Sequence, residues 1–399
     1  MTHTMTSFSP LAPTEAIERY SHELTFRDPS DSNRIVIRPA LIGTLFFERG
    51  SQPMVRRGLL DCTDRFLTMF SQNLFGEFDG KSRYSKRTKN GVESIRRSIV
   101  STQPNGRVHF ALSDVTEFDS APEFLIEMLT GQELLENRYG VLSHLKFVLP
   151  WSFAENTEGI DKFHELMTFC CKALPIRGGY GGLSSVLPYD FDRHLPMEYQ
   201  LSRRFQGLEV DAWALAEAYD YQDNHIKSTN WYTVLGDPLL EKLGSEADVR
   251  AALCREDILM ERHGQCLVIR AGDYPLLGAP EEGPLEPYIF VNRVIRPLRK
   301  PLRGSMHSYM EGVERFGEEE SRRWVARFDE PEGPIDDSTP QPSRGASALP
   351  FQTCPRSGRW VANHLGNRIA QVKAGDPMPG PERSDVGNQV VWYFVRDIE

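Results

Sequence analysis

The spacing of hydrophobic and polar positions predicts a chain that mixes strands with amphipathic helices. Runs rich in β-branched and aromatic residues are typical of strands, and they occupy 34–47, 107–113, 144–149, 176–186, 226–235 and 266–270. Apolar residues three and four positions apart indicate helices with one buried face, at 13–22, 53–73, 122–135, 157–174, 197–205, 239–243, 246–254, 287–295 and 306–328. Strands and helices in this order favour the α+β class, a mixed sheet with helices packed on it.

The run 176–186, IRGGYGGLSSV, contains four glycines and allows two interpretations. A phosphate cradle of the P-loop type needs a Lys-Ser/Thr pair at the start of a helix, and the run has no such pair. A strand that lacks side chains at several positions lets another element pack closely on it. We therefore predict a buried Gly-rich strand.

The region 226–277 is predicted to form a central part of the fold. Two β-rich runs flank Gly236-Asp237-Pro238, which ends the first run and can start a helix. Asp237 is expected to cap that helix, because its carboxylate can accept hydrogen bonds from the free N–H groups of the first turn. No cluster of catalytic side chains lies within this region.

Composition shifts divide the chain into five segments. The stretch 330–350 is rich in Pro, Gly, Ser and Asp, which is typical of a linker, and the residues after it can form a β-rich unit pinned by Trp360 and Trp392. The predicted organisation is a polar N-terminal segment at 1–33, an α+β body at 34–303 and a surface helix at 304–329. The linker at 330–350 and a small C-terminal module at 351–399 follow.

The 399-residue chain has a formal net charge of −10 and is 40% hydrophobic. This balance is typical of a globular protein and argues against a dedicated nucleic-acid binder, whose domains carry an excess of Lys and Arg. No apolar run approaches the roughly 20 residues that span a bilayer, and the N-terminus lacks the features of a signal peptide. A cytoplasmic protein without membrane contact is therefore expected.

Motifs that would carry catalysis or bind a metal are missing from the sequence. His164-Glu165 does not complete the two-histidine zinc motif, and no nucleophile elbow, kinase set or deaminase signature occurs. Six scattered cysteines do not make a disulfide framework, and those in apolar runs are expected to be reduced core thiols, Cys62, Cys254 and Cys266. We predict a protein that is not an enzyme, with no catalytic residues, no metal and no cofactor. A hydrolase whose site assembles only in space is a third interpretation.

A basic insertion at 75–98 separates a predicted helix from a predicted strand, and it carries Lys81, Arg83, Lys86, Arg87, Lys89, Arg96 and Arg97. With Tyr84 among them, these charges could contact phosphates, which gives the alternative function of a nucleic-acid-associated or regulatory protein. A charge block without a recognised fold is usually an exposed loop, and we favour that interpretation.

Two short stretches combine aromatic rings with carboxylates. Such residues provide amphipathic contact area and charge, as in an interface with a basic protein partner. The other interpretation is that the aspartates cap helices or turns while the rings cover the core. The candidate partner-binding residues are Tyr189, Asp190, Phe191, Asp192, Tyr219, Asp220, Tyr221 and Asp223.

Several motifs in the second half of the chain point to a family. They lie around Gly179 to Leu183, at 203–211 and at 296–299, and the most distinctive are Asn230-Trp231 with Leu235-Gly236 and Arg270-Ala271-Gly272 with Pro275 and Gly278. Together they resemble the TsiV-type family of type VI secretion immunity proteins. The similarity covers 34–303 and is closest from Ile176 onward.

The C-terminal module has a resemblance of its own. Its motif Cys354-Pro355-x-Ser357-Gly358-x-Trp360 is followed by Gly375-Asp376-x-Met378-Pro379 and by Trp392. This pattern is similar to a small module appended to secretion-associated and immunity proteins.

The family resemblance implies a protein that acts in bacterial competition. It would bind a cognate secreted effector toxin and neutralise it by stoichiometric contact, which protects the producing cell. Some members are implied to oppose nuclease effectors, whose basic clefts an acidic cytoplasmic inhibitor would suit. Nucleic acid is not expected to be a partner.

Overall fold

A computed structural model describes the fold of residues 11–80, 84–212, 214–301, 304–308, 312–330, 347–362, 365, 368–383 and 390–396. Within these residues the large sheet has eleven strands: β1 Phe26–Asp28, β2 Asp31–Phe47, β3 Gly76–Phe78, β4 Ser85–Lys86, β5 His109–Ser113, β6 Leu125–Leu129, β7 Ser143–Pro150, β8 Ile176–Val186, β9 Tyr232–Gly236, β10 Ile258–His263 and β11 Cys266–Ala271. Their order across the sheet is β10-β11-β9-β8-β2-β7-β6-β5-β3-β4, and β1 pairs with β2.

The α-helices of the described chain are α1 Pro13–Leu24, α2 Pro53–Phe70, α3 Lys89–Ser101, α4 Glu133–Tyr139, α5 Thr157–Ala173, α6 Leu195–Arg204, α7 Ala214–Gln222, α8 Asp237–Lys242, α9 Glu246–Ala252, α10 Glu286–Ile295 and α11 Glu318–Val325. The predicted α+β class, a sheet with helices packed on it, is confirmed. The expected mixture of parallel and antiparallel strands is corrected: the strand pairs described are antiparallel, and parallel pairing occurs in two isolated bridges.

Strand β8 has helices on both of its faces, as its glycines predict. A Cβ atom at Gly181 would lie 2.6 Å from Met167 Cε of α5. A Cβ at Gly178, on the opposite face, would lie 2.4 Å from the ring of Tyr221 in α7. The missing side chains therefore let α5 and α7 approach the sheet closely, which confirms the predicted Gly-rich strand.

The helix predicted at 122–135 is wrong, because Leu125–Leu129 forms β6 and α4 begins only at Glu133. Strand β6 pairs with β5 on one side and with β7 on the other. A short apolar run suits a buried strand as well as a buried helix, and here pairing with two neighbours decides the conformation.

Other boundaries also differ from the prediction. Strand β9 begins at Tyr232, not at Ile226, because the residues before it bury polar side chains. Gly236 precedes α8, and Asp237 forms an ion pair with Arg262 at 2.5 Å instead of capping the helix. Strand β10 lies at the edge of the sheet and is half-exposed, so its apolar pattern is too weak to predict.

The polar segments also depart from their simplest interpretation. The basic insertion is not a plain loop, because it contains β3, β4 and most of α3, whose Ile95 is buried. In the predicted surface helix at 304–329, the described helix is α11 and Trp324 is buried.

Cys254 is exposed, whereas Cys62 and Cys266 are buried thiols as predicted. Lys81 and Arg83 of the insertion and 331–346 of the predicted linker lie outside the described residues.

A separate sheet of four strands lies at the C-terminus, in the order β12-β15-β13-β14, with β12 Ser347–Ala348, β13 Gly358–Ala362, β14 Arg368–Val372 and β15 Trp392–Arg396. Trp360 and Trp392 are fully buried in its own core, as predicted. The sheet contacts the body, since the Tyr393 hydroxyl donates to the Glu23 carbonyl oxygen at 3.3 Å. Tyr20 and Leu24 of α1 are buried in the core of the body.

The most distinctive sequence motifs meet around the ring of Trp231. This ring is fully buried, with the Phe163 ring stacked at 5.4 Å and the Tyr232 ring edge-on at 4.8 Å. Its Nε1–H donates to the carbonyl oxygen of Gly272 at 3.0 Å, and the Ala271 N–H donates to the Trp231 carbonyl oxygen at 2.7 Å. The Asn-Trp and Arg-Ala-Gly motifs are therefore determinants of the fold.

Charged side chains are buried beneath β7 and β8. Lys146 Nζ lies 2.6 Å from Asp211 Oδ2 and donates to the Asp211 carbonyl oxygen at 3.0 Å. The Tyr180 hydroxyl donates to Asp211 Oδ1 at 2.5 Å. Burial opposes ionisation of Asp211, but the charges of Lys146 and Lys227 and these hydrogen bonds hold its pKa below the usual value.

The same cluster extends to a second carboxylate. Lys227 Nζ lies 2.7 Å from Glu209 Oε1 and 4.2 Å from the centroid of the Tyr180 ring. The Asn230 amide donates to Glu209 Oε2 at 2.5 Å, and Arg327 lies 3.8 Å from the same oxygen. We call these residues the buried charge network: Lys146, Tyr180, Glu209, Asp211, Lys227, Asn230 and Arg327.

Replacing Trp231 with alanine is expected to lower the free energy of unfolding by about 3–5 kcal/mol, because the ring leaves a cavity and the Gly272 carbonyl loses its donor. Denaturant unfolding followed by far-UV circular dichroism measures this change. The control is Met54→Ala at a position 83% exposed, where we expect a change within about 0.5 kcal/mol. A Trp231→Ala protein as stable as the wild type would contradict a core role.

Replacing Lys146 with methionine is expected to destabilise the protein by about 3–5 kcal/mol at neutral pH, because Asp211 stays buried without its cation. The folded pKa of Asp211 lies below its usual value, so the ion pair stabilises the protein above that value. This stabilisation is lost as the pH falls through the folded pKa. The difference in unfolding free energy between wild type and variant should therefore shrink below about pH 4.

Urea unfolding at neutral and acidic pH measures this difference. The matched control is Lys162→Met, which removes an exposed pair with Glu158 at 2.7 Å and should change stability by less than about 0.5 kcal/mol. An equal decrease of the unfolding free energy in the two variants would show that burial of the Lys146–Asp211 pair does not contribute to stability.

Candidate partner-binding site

A pocket of about 220 Å³ lies on the large sheet, next to the buried charge network. Strands β5, β6, β7 and β8 contribute to its walls, together with the loop that follows β8. We call it the sheet pocket and define it by the lining residues Tyr84, His109, Glu117, Glu127, His144, Lys146, Ser185, Tyr189, Phe191 and Asp211. Tyr189 is 42% exposed, so the pocket is open to solvent on that side.

Aromatic rings form one wall of the sheet pocket. The Tyr189 ring lies 4.8 Å from Phe118 and 5.4 Å from Phe78, and the Tyr84 ring lies 5.0 Å from Phe118. The loop that carries Tyr189 is held by a hydrogen bond from the Asp190 N–H to the Phe118 carbonyl oxygen at 3.0 Å. Tyr189 is therefore positioned by ring packing and by the backbone.

Strand pairing brings ionisable side chains together on the floor. Glu127 on β6 is directly opposite Lys146 on β7, and its Oε1 lies 3.4 Å from His109 Nε2. Burial opposes ionisation of Glu127, but the hydrogen bond with His109 and the charge of Lys146 hold its pKa below the usual value. Burial lowers the pKa of His144. At neutral pH the floor therefore holds an ionised Glu127 beside a neutral His144.

Two buried polar atoms of the pocket lack a hydrogen-bond partner within the described residues. They are Nδ1 of His144 and Oγ of Ser185, and both side chains are almost fully buried. Buried polar atoms are normally satisfied, and an exception calls for an explanation. The residues His144 and Ser185 both line the sheet pocket, which places these atoms close to any group bound there.

The structure separates the two predicted aromatic and acidic stretches. In the first stretch, Tyr189 and Phe191 line the sheet pocket, and Asp190 and Asp192 are exposed beside it. None of the second stretch lines this pocket. The predicted interface residues thus fall into two places.

In the second stretch, on and just after α7, Tyr219 and Asp223 are exposed. Asp220 is buried, with Lys300 Nζ at 3.3 Å. Tyr221 is also buried, and its ring stacks on Phe46 at 4.7 Å. Tyr221 therefore packs the core and has no surface to offer a partner.

Sequence reasoning did not find Glu127, His144 or Lys146. Their signal is an ionisable residue within an apolar run, LIEML for β6 and SHLKFVLP for β7. Such a residue is rarely buried unless it is paired. The incorrect helix at 122–135 hid the fact that β6 and β7 place these side chains opposite each other.

The basic insertion is partly neutralised by its surroundings. Arg96 pairs with Asp64 at 2.8 Å and with Glu93 at 2.7 Å, and Arg87 donates to the Ser71 hydroxyl at 3.0 Å. No helix in the described part of the chain is long and apolar enough to cross a membrane. Nor does any group of three or more His, Cys, Asp or Glu side chains there form a site for a metal ion.

Comparisons with known proteins agree with the fold. Pseudomonas aeruginosa T6SS protein PA0821 is similar in structure, with a TM-score of 0.71 and 22% sequence identity over 80% of this chain and 91% of that chain. At this identity the similarity shows the fold. Comparison with curated proteins gives no match.

A family model described as type VI immunity for VRR-NUC, TsiV, matches residues 58–328. The match ends before the C-terminal sheet, so the resemblance of that module to secretion-associated modules stays a prediction. Within the matched region lie the Trp231 motifs, all of the buried charge network and the floor of the sheet pocket. Because the match covers well over half of the chain, the protein belongs to the TsiV family of type VI secretion immunity proteins.

Proposed function

We propose that this protein binds a VRR-NUC effector of a type VI secretion system and neutralises it by stoichiometric contact. Family membership across the body of the chain carries this proposal. The sheet pocket and the exposed residues beside it provide a contact surface whose floor is held by strand pairing. The protein acts as an inhibitor in the cytoplasm, where a nuclease would meet the DNA of the cell.

Charge supports this partner. A nuclease must hold a phosphate backbone, so its active-site cleft carries basic side chains. Around the sheet pocket, Asp190 and Asp192 are exposed, and the Glu117 side chain is 62% exposed. These carboxylates would attract a basic cleft before contact and would suppress association with acidic surfaces.

Binding, and not catalysis, is the activity that the site supports. Lys146 and Asp211, the most buried charged pair of the pocket, bond to each other, and Asp211 also accepts a hydrogen bond from the Tyr180 hydroxyl. Their charges therefore serve to shape the pocket. A surface held by paired strands and packed rings is suited to an inhibitor, because little ordering is needed on binding.

Co-expression tests the proposal directly. Cells that express the VRR-NUC domain of an effector from the same genome should stop growing, and this protein should restore growth. The two purified proteins should elute together from a size-exclusion column with a fixed stoichiometry. No rescue and no complex with that effector would contradict the proposed function.

The variant Asp190→Asn/Asp192→Asn should slow association with the effector by about tenfold at low salt and change dissociation little, because exposed charges act mainly on the association rate. Added salt should reduce the difference between variant and wild type. Stopped-flow or surface plasmon resonance measurements give both rates.

The matched comparison is Tyr219→Ala/Asp223→Asn on the second exposed stretch. We expect it to leave association unchanged, because these residues lie outside the sheet pocket. Slower association in this variant alone would indicate that the effector contacts α7 and not the sheet pocket. Unchanged association in both variants would show that neither predicted stretch forms the contact surface for the effector.

A further inference from the structure

We propose that the sheet pocket binds a guanidinium group. Two sources share this chemistry, an arginine side chain of the effector and a free guanidinium compound. The first source rests on the proposed function, and the second does not. The inference is carried by the hydrogen-bonding atoms, the charge and the rings that line the pocket.

Three groups in the lining of the pocket can accept hydrogen bonds. The Glu127 carboxylate is ionised and can only accept hydrogen bonds. Nδ1 of the neutral His144 and Oγ of Ser185 have no partner among the described residues, and both can accept. A guanidinium has five N–H donors and no acceptor, so it complements this set.

The charge of Lys146 does not prevent a cation from binding in the sheet pocket. Its Nζ lies 2.6 Å from Asp211 Oδ2 and donates to the Asp211 carbonyl oxygen, so its charge is compensated within the floor. Glu127 and the more exposed Glu117, which also pairs with Arg34 at 3.8 Å, then leave the residues that line the pocket with an excess of negative charge. A cation is therefore favoured over a neutral or anionic group.

The aromatic wall favours a planar cation. Tyr84 and Tyr189 line the pocket, and the rings of Phe78 and Phe118 hold Tyr189 in place. A guanidinium stacks on a ring while its edge bonds to a carboxylate, and an ammonium cannot do both with the same geometry.

The size of the pocket also fits one group. Its volume of about 220 Å³ is below the roughly 300 Å³ at which sites for drug-sized ligands begin. It can hold the end of one side chain or a small organic cation. A large cofactor or a folded segment would not enter.

The first arm of the test uses full-length protein and N-ethylguanidinium, with N-ethylammonium at the same concentration as the control for charge and salt. Isothermal titration calorimetry should detect binding of the guanidinium probe at millimolar concentration. The ammonium should bind about tenfold more weakly, because it makes one fewer hydrogen bond to a charged group. Equal binding of the two probes, or no binding, would overturn the proposal.

Two variants locate the probe. Glu127→Gln should weaken binding of N-ethylguanidinium about tenfold or more, because the charged acceptor is lost. Tyr189→Ala, at a partly exposed ring, should weaken it several-fold while the thermal unfolding midpoint stays near that of the wild type. The control Glu158→Gln removes a carboxylate that is 77% exposed on α5 and should change nothing. Unchanged binding in both pocket variants would overturn the proposal.

The second arm separates the two sources and uses the effector complex. If the pocket receives an arginine of the effector, N-ethylguanidinium should compete with complex formation, and Glu127→Gln should speed dissociation about tenfold. If the pocket serves a free compound, the probe still binds but leaves the complex unchanged. Probe binding without any complex would refute the proposed function and leave the guanidinium site standing. A complex without probe binding would refute the guanidinium site and leave the proposed function standing.

Discussion

The burial of charged side chains beneath β7 and β8 is the constraint on which the rest of the structure depends. A buried charge is costly unless a partner compensates it. Here Lys146, Lys227 and Arg327 are matched by Asp211 and Glu209, with hydrogen bonds at 2.5 Å from Tyr180 and Asn230. These residues come from β7, β8 and three segments that follow them. The network therefore fixes segments that backbone pairing alone would leave loosely placed.

This constraint also shapes the candidate site. Asp211 and Lys146 compensate each other, while Nδ1 of His144 and Oγ of Ser185 have no hydrogen-bond partner among the described residues. Strands hold these groups in position, and packed rings hold Tyr189. A site on such a support changes little when a partner arrives. A preformed surface suits the proposed binding of an effector, because little ordering is needed on contact.

Part of the site could be found in the sequence and part could not. Tyr189 and Phe191 were found because rings beside carboxylates are unusual in an exposed loop, and both line the pocket. Tyr221 has the same local pattern, yet it is buried against Phe46. Glu127 was missed because its run was interpreted as a helix. The pattern of a few neighbouring residues does not reveal which side of an element faces the core.

The sequence by itself determined the α+β class, most helices and the Gly-rich strand β8, because these follow from periodicity and composition over short stretches. The tertiary structure decided that the strands pair antiparallel, that β6 is a strand, and that Tyr84, Glu127, Tyr189 and Asp211 line one pocket. These four residues are far apart in the chain. Their proximity depends on strand register and on the matching of buried charges, which local patterns do not encode.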